Sequence, residues 1–157
     1  MIARASDCVA LGRLERRDAD IVAHIHRVAF DERMPWLKGL HTPDEDVAYF
    51  SDQVFHGCEV WGARLAVELV GFIAFRDGWI EHLYVLPTAQ KRGAGGSLLK
   101  LAQEKFSALK LWTFQRNDGA RRFYENRGFV ALRETDGVGN AEKEPDVLYG
   151  WERVAAS

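Results

Sequence analysis

Apolar residues recur at two different spacings along the chain, and the changes between them outline the elements. Val9 to Leu14 reads as a short first strand. Ile21, Val22, Ile25, Val28 and Ala29 then fall at helical spacing, which predicts a helix from about Asp18 to Phe30 with Asp18 as its cap. Met34 to Leu40, with Pro35 and Gly39, reads as a loop. Thr42-Pro43-Asp44-Glu45 combines a capping threonine, a proline at the first helical position and acids in the first turn, so a second helix should run to about Phe55. Strand patterns follow over Glu59 to Leu65, Leu69 to Phe75 and Trp79 to Val85, and Arg76-Asp77-Gly78 forms a tight hairpin turn. Leu98, Leu101, Ala102, Phe106 and Leu109 share one stripe of a helix from Gly96 to Ala108. Leu109 to Phe114 is the next strand. A helix over Asn117 to Arg127 ends at Gly128, the residue type that favours a left-handed stop. Phe129 to Arg133 and Val147 to Arg153 are the last strands, separated by a polar loop from Thr135 to Pro145.

The order β-α-α-β-β-β-α-β-α-β-β places hairpins ahead of one strand-helix-strand crossover. It predicts an α/β fold with a central mixed sheet and helices on both faces. No repeat, linker or low-complexity tract interrupts it, so residues 1–157 read as a single domain.

Charge and cysteine content remove several classes. The formal net charge is −2 and the basic residues are scattered, which argues against a nucleic-acid partner. Cys8 and Cys58 lie far apart and outside any Cys-x-x-Cys pattern, which excludes a disulfide scaffold or zinc knuckle and fits a reducing cytoplasm. Met1 to Asp7 holds Arg4 and Asp7 and no apolar run, so neither a signal peptide nor a membrane span is expected. His24 and His26 are two apart on a helix and point in different directions, so no metal pair is expected.

The candidate chemistry sits between the strand ending at Val85 and the helix after it. Gln90-Lys91-Arg92-Gly93-Ala94-Gly95-Gly96-Ser97 puts three glycines, two cations and a helix N-terminus at one junction, which is a cradle for a phosphate or pyrophosphate. A P-loop needs a lysine after its last glycine, and none is there. A dinucleotide fingerprint needs a third glycine where Leu98 stands. A glycine-rich connection without a ligand stays open on these residues alone.

Val85-Leu86-Pro87 followed by Gln90-x-x-Gly93-x-Gly95 resembles the signature of the GNAT superfamily of N-acetyltransferases. A second block, Asn117-x-x-Ala120-x-x-Phe123-Tyr124-x-x-x-Gly128-Phe129, is similar to another motif of that superfamily, in the right order. The likeness is close over Ile80 to Phe129 and extends to the early helices only in layout. It implies a GNAT-like acyl-CoA N-acyltransferase fold with acetyl-CoA as cosubstrate and no metal. Backbone N–H groups of Lys91, Arg92, Gly93, Ala94, Gly95, Gly96 and Ser97 would hold the pyrophosphate, with Gln90 also among the cofactor-binding residues. Leu83, Tyr84 and Val85 would pair with the pantetheine arm, and Asn117, Ala120, Phe123 and Tyr124 would line the same cofactor.

Acetyl transfer to an amine needs a neutral amine, donors for the oxyanion and an acid for the departing thiolate. The resemblance makes Tyr124 the acid, beside the thioester sulfur. Glu81 is the base candidate and His82 its rival. Strict alternation places Trp79, Glu81, Leu83 and Val85 on one strand face, with Ile80, His82 and Tyr84 on the other, unless a bulge intervenes. Val85 to Glu81 spans about 13 Å of strand, of the order of an extended pantetheine arm. Direct deprotonation of an alkylammonium by a carboxylate crosses about six pKa units, or about 8 kcal/mol, so a water chain, a buried carboxyl or an already neutral amine is needed. Asp31, Trp36, Leu37 and His41 are the candidate contacts for the amine acceptor.

The function expected is acetylation of a primary amine on a small molecule. The alternatives are a protein lysine or N-terminal acetyltransferase and a non-catalytic coenzyme-A-binding sensor. Aromatic residues near the last strands suggest a homodimer.

Overall fold

The computed structural model describes residues 8–155; the Met1 to Asp7 segment, read above as lacking a signal peptide, lies outside them. Seven strands form one mixed sheet: β1 Val9–Arg13, β2 Glu59–Leu65, β3 Glu68–Arg76, β4 Trp79–Val85, β5 Ala108–Phe114, β6 Val130–Thr135 and β7 Asp146–Glu152. Their spatial order is β1-β2-β3-β4-β5-β7-β6. The helices are α1 Ala19–Arg33, α2 Pro43–Tyr49, α3 Phe55–Gly57, α4 Ala94–Lys105 and α5 Asp118–Glu125. All pairings are antiparallel except β4 with β5, which the α4 crossover joins in parallel. The α/β class and the mixed sheet are therefore as the periodicity predicts. No helix among the described residues is long and apolar enough to cross a membrane.

Local chemistry explains the joints. Asp77 and Gly78 both take positive φ, 51° and 82°, the two-residue turn whose twist matches the flanking strands β3 and β4. At the start of α2 the Thr42 hydroxyl accepts the Glu45 N–H at 3.1 Å, and the Glu45 carboxylate accepts the Thr42 N–H at 2.9 Å. Asp18 behaves differently from expectation. Its carboxylate accepts the Glu15 N–H at 2.9 Å and closes a short 3-10 turn ahead of α1, instead of capping α1 itself. α1 also continues to Arg33, three residues beyond the expected end. α4 starts two residues early, because Gly93 at φ +92° makes the turn in a single left-handed step.

Helices cover both sheet faces. α1 and the π-helical turn Phe50–Val54 that follows α2 bury Val22, Ile25 and Phe50 against Val60, Phe72 and Ala74. On the other face Leu98, Leu99 and Ala102 of α4 and Tyr124 of α5 pack on Ile73, Leu109, Leu111 and Tyr149. Arg27 anchors α1 to α2 through a two-pronged pair with Asp46, both contacts at 2.8 Å.

One feature of the sheet creates space for a ligand. β4 and β5 pair only at Trp79 and Lys110 and then diverge. The C-terminal half of β4 thus has no strand partner on that side. Phe30, Met34 and Leu37 pack with Tyr84 and Phe114 on the α1 side of the split.

Candidate active site

The split between β4 and β5 opens into a groove of about 640 Å³ on the α4 and α5 side of the sheet. Leu83, Tyr84 and Val85 form one wall; Asn117, Ala120, Phe123 and Tyr124 of α5 and its cap form the other. Gln90, Lys91, Gly93, Gly95 and Gly96 close one end. The two sequence motifs, about thirty residues apart, therefore meet across a single channel. At the closed end Lys91 (φ +64°) and Gly93 (φ +92°) are left-handed, a backbone form that turns successive N–H groups toward one point. The first N–H groups of α4 have no partner within the helix and extend that row. The row ends at Gly96, because the Ser97 N–H bonds the Gly93 carbonyl at 3.0 Å. Ser97 thus drops out as a backbone donor. Arg92 and Ala94 do not line the groove, and Ala94 is buried in the core beneath it.

Asn117 caps α5 by accepting the Ala120 N–H through Oδ1 at 3.2 Å, so its amide nitrogen keeps its donors for a ligand. Tyr124 is 7% exposed. Its ring packs against Phe123, Phe129 and Tyr149, and no described residue hydrogen-bonds its hydroxyl. Burial, with a smaller contribution from Tyr84, raises its pKa, so the phenol stays protonated as a potential donor.

Strict alternation fails at Glu81. Ala74 pairs with His82 and Phe75 with Ile80, so Glu81 is the extra residue of a β-bulge. Ile80 consequently joins Leu83 and Val85 on the α4 face. His82 and Tyr84 stay on the α1 face, ringed by His26, Phe50 and Phe72. Glu81 itself is exposed, lies 3.4 Å from Arg76, and is close enough to Tyr49 and Cys58 to raise the pKa of both beyond what burial does. It does not share a row with Leu83.

His82 shares a 2.9 Å hydrogen bond with the Tyr49 hydroxyl through Nε2. Its Nδ1 and that of His26 are enclosed without a partner among the described residues. Burial pushes the His82 pKa down to about 4. Burial, and then the neighbouring His82, takes His26 to about 3. Both rings are neutral in the folded state and would accept protons near pH 6.5 once unfolded. The stabilisation is complete above that pH and is lost as pH falls toward 4. The urea midpoint should therefore drop over that range, and His26→Phe should flatten the drop. A midpoint that stays constant from pH 7 to 4.5 in the native chain would contradict the placement of these rings.

Two loops that the sequence did not link are joined by side chains. The Trp36 indole donates to Glu144 at 2.8 Å, and Arg116 reaches both oxygens of the same carboxylate at 3.0 and 3.1 Å. Arg116 also stacks on the Trp36 ring at 3.9 Å. Asn140 holds the Glu144 backbone from both sides, at 2.7 and 3.2 Å, so the β6–β7 loop is fixed against the α1–α2 loop. Of the expected acceptor contacts, Trp36 remains exposed beside Glu144. His41 is exposed beside α2. Asp31 is ion-paired to Arg27 at 3.2 Å, and Leu37 is buried with Phe30 and Met34. Leu37 is thus a packing residue, contrary to the expectation. Tyr49, Arg116 and Glu144 were missed because their roles arise from partners more than thirty or twenty residues away, with no local motif.

Residues 56–131 match the family described as the Acetyltransferase (GNAT) domain. A 63-residue stretch is 33% identical to peptidyl-lysine N-acetyltransferase YiaC of Escherichia coli K12, covering 40% of this chain and 43% of that protein. The chain therefore aligns with less than half the length of this curated relative. The fold is similar to apo YjaB from Escherichia coli, with a TM-score of 0.74 at 17% identity over 94% of this chain and 99% of that one. It is also similar to the PaiA N-acetyltransferase of Thermoplasma acidophilum solved with coenzyme A, with a TM-score of 0.72 at 16% identity over 92% and 99%. The sheet splits where the parallel strands β4 and β5 diverge, with the glycine turn at the mouth of the split. Just under half of the chain thus matches a GNAT domain, and its fold is similar to solved structures of GNAT acetyltransferases.

Proposed function

We propose that this protein transfers the acetyl group of acetyl-CoA to a primary amine. The observation that carries the reading is the groove between β4 and α5, which leads from the Lys91–Gly96 turn to the buried hydroxyl side of Tyr124. The turn suits a pyrophosphate, and the unpaired edge of β4 suits an extended amide-bearing arm lying along it like an added strand. Gln90 supports that edge by donating to the Val85 carbonyl at 3.1 Å.

In the proposed reaction the amine nitrogen attacks the thioester carbonyl, the new C–N bond forms and the C–S bond breaks. Tyr124 gives its proton to the departing sulfur. The amine proton leaves by water to Glu81. Exposure of the bulged Glu81 supports a water-borne route over direct contact. His82, on the α1 face beside Tyr49 and neutral through burial, is the other base candidate and lies outside the groove lining.

The acceptor is proposed to be a small amine, which the Trp36–Glu144–Arg116 cluster joining the α1–α2 and β6–β7 loops would help enclose. A second reading, a peptidyl lysine, is favoured by the likeness to YiaC. Cys8 and Cys58 form no disulfide, which supports a reducing, cytoplasmic setting. A free-thiol release assay over small amines and lysine peptides separates the readings. Turnover on small amines is expected. Turnover on peptides alone replaces the first reading with the second, and acetyl-CoA binding without release to any amine leaves only a sensor.

A further inference from the structure

The last residue of α1 reaches into the cofactor groove from the opposite face of the sheet. Arg33 Nη2 donates to Gln90 Oε1 at 2.6 Å, and Gln90 in turn holds the end of β4. The same guanidinium lies flat over Gly119 at the start of α5. A Cβ on Gly119 would sit 2.6 Å from Arg33 Nη1 and 3.1 Å from Cζ, so the guanidinium keeps this position only while residue 119 lacks a side chain. Gln90 belongs to the closed end of the groove and Gly119 to its α5 side, and Arg33 therefore spans between them.

Arg33 has little to hold it there except this crossing. Its acidic neighbour is Glu32, the preceding residue, at 3.4 Å and half exposed, a pair of small consequence. Its groove contact is to a neutral amide oxygen, and one hydrogen bond uses one of five guanidinium donors. Four cationic side chains, Arg33, Lys91, Arg122 and Arg127, line the groove, and no carboxylate among the described residues does. Such a lining attracts a polyanion, and the planar fork of arginine matches phosphate oxygens in pairs.

We propose that Arg33 is a strap over the cofactor, exchanging its Gln90 contact for a phosphate oxygen of bound acetyl-CoA and slowing the cofactor's release. The proposal rests on the reading that the groove holds acetyl-CoA. Gly119 is the seat of the strap: its missing side chain lets the guanidinium lie across the channel. The acceptor-side helix α1 is thereby tied to cofactor occupancy through its own last residue.

Calorimetry with acetyl-CoA and with acetyl-pantetheine, which lacks phosphates, tests the strap on three chains: native, Arg33→Met and Gly119→Ala. Arg33→Met should weaken acetyl-CoA about 10- to 100-fold, the usual range for a charge-assisted hydrogen bond, and leave acetyl-pantetheine unchanged. Gly119→Ala should displace the guanidinium and give a similar loss, with a melting temperature equal to or above the native one, since alanine favours the helix. Unchanged acetyl-CoA affinity in Arg33→Met overturns the strap. Equal losses for both ligands overturn it too, because Arg33 would then only shape the groove. A native chain that binds neither ligand overturns the acetyl-CoA reading itself, a result distinct from either.

Discussion

Tyr124→Phe is expected to lower turnover by about 100-fold or more while changing acetyl-CoA affinity by less than about threefold. The substitution removes one oxygen and keeps the ring. That ring is fixed by Phe123 at 5.1 Å, Phe129 at 5.4 Å and Tyr149 at 6.3 Å between centroids, and all three contacts survive the change. The fold should hold, because the hydroxyl has no hydrogen bond to lose among the described residues. What disappears is a proton donor at the inner end of the groove. The thiolate must then leave unassisted, and the loss falls on the chemical step rather than on binding. Single-turnover thiol release measured beside calorimetry separates the two. Unchanged turnover would make Tyr124 a packing residue and leave the departing sulfur to solvent.

Most of the architecture is legible in the sequence because amphipathic period and turn chemistry are local. Thr42-Pro43-Asp44-Glu45 announces α2 by itself, and Asp77-Gly78 announces the β3–β4 hairpin. Both motifs of the cofactor groove are likewise contiguous. The failures come from the opposite kind of information. The bulge at Glu81 is decided by how Ala74 and Phe75 of β3 pair with it, and nothing in Ile80-Glu81-His82 distinguishes a bulge from clean alternation. One inserted residue turned the base candidate away from the row it was assigned to and moved Ile80 onto the face of Leu83 and Val85. Arg33 falls beyond the helix end expected at Phe30 and drew no reading, yet its environment is set by Gln90 and Gly119. Leu37 read as an acceptor contact and is instead part of the plug beside the strand split. In each case the missing fact was a long-range partner, and residue type alone carries none.

Gly95→Leu is expected to abolish the stabilisation that acetyl-CoA gives the native protein. At a concentration a hundredfold above Kd, a ligand bound only by the folded state adds about 2.7 kcal/mol, which for a chain of this size raises the melting temperature by about 5–10 °C. Gly95 lies in the first turn of α4, with Phe123 on one side and Val85 on the other. A Cβ there would come to 3.4 Å from the Phe123 ring and 3.7 Å from Val85 Cγ2, and the rest of a leucine would fill the channel between the two walls. The backbone does not object, because Gly95 is helical and leucine is the better helix former by up to about 1 kcal/mol. The unliganded melting temperature should therefore hold or rise, so a lost shift cannot be mistaken for a lost fold. Gly93→Leu reaches the same endpoint by another route. At φ +92° it imposes about 1–2 kcal/mol of strain, and relief of that strain would rotate the N–H row away from the anion it faces. The signature of a cofactor channel is thus a pair of variants with opposite effects on the free protein, Gly95→Leu neutral or stabilising and Gly93→Leu destabilising, and the same loss of response to acetyl-CoA. A full thermal shift retained in Gly95→Leu would place the cofactor elsewhere on the molecule.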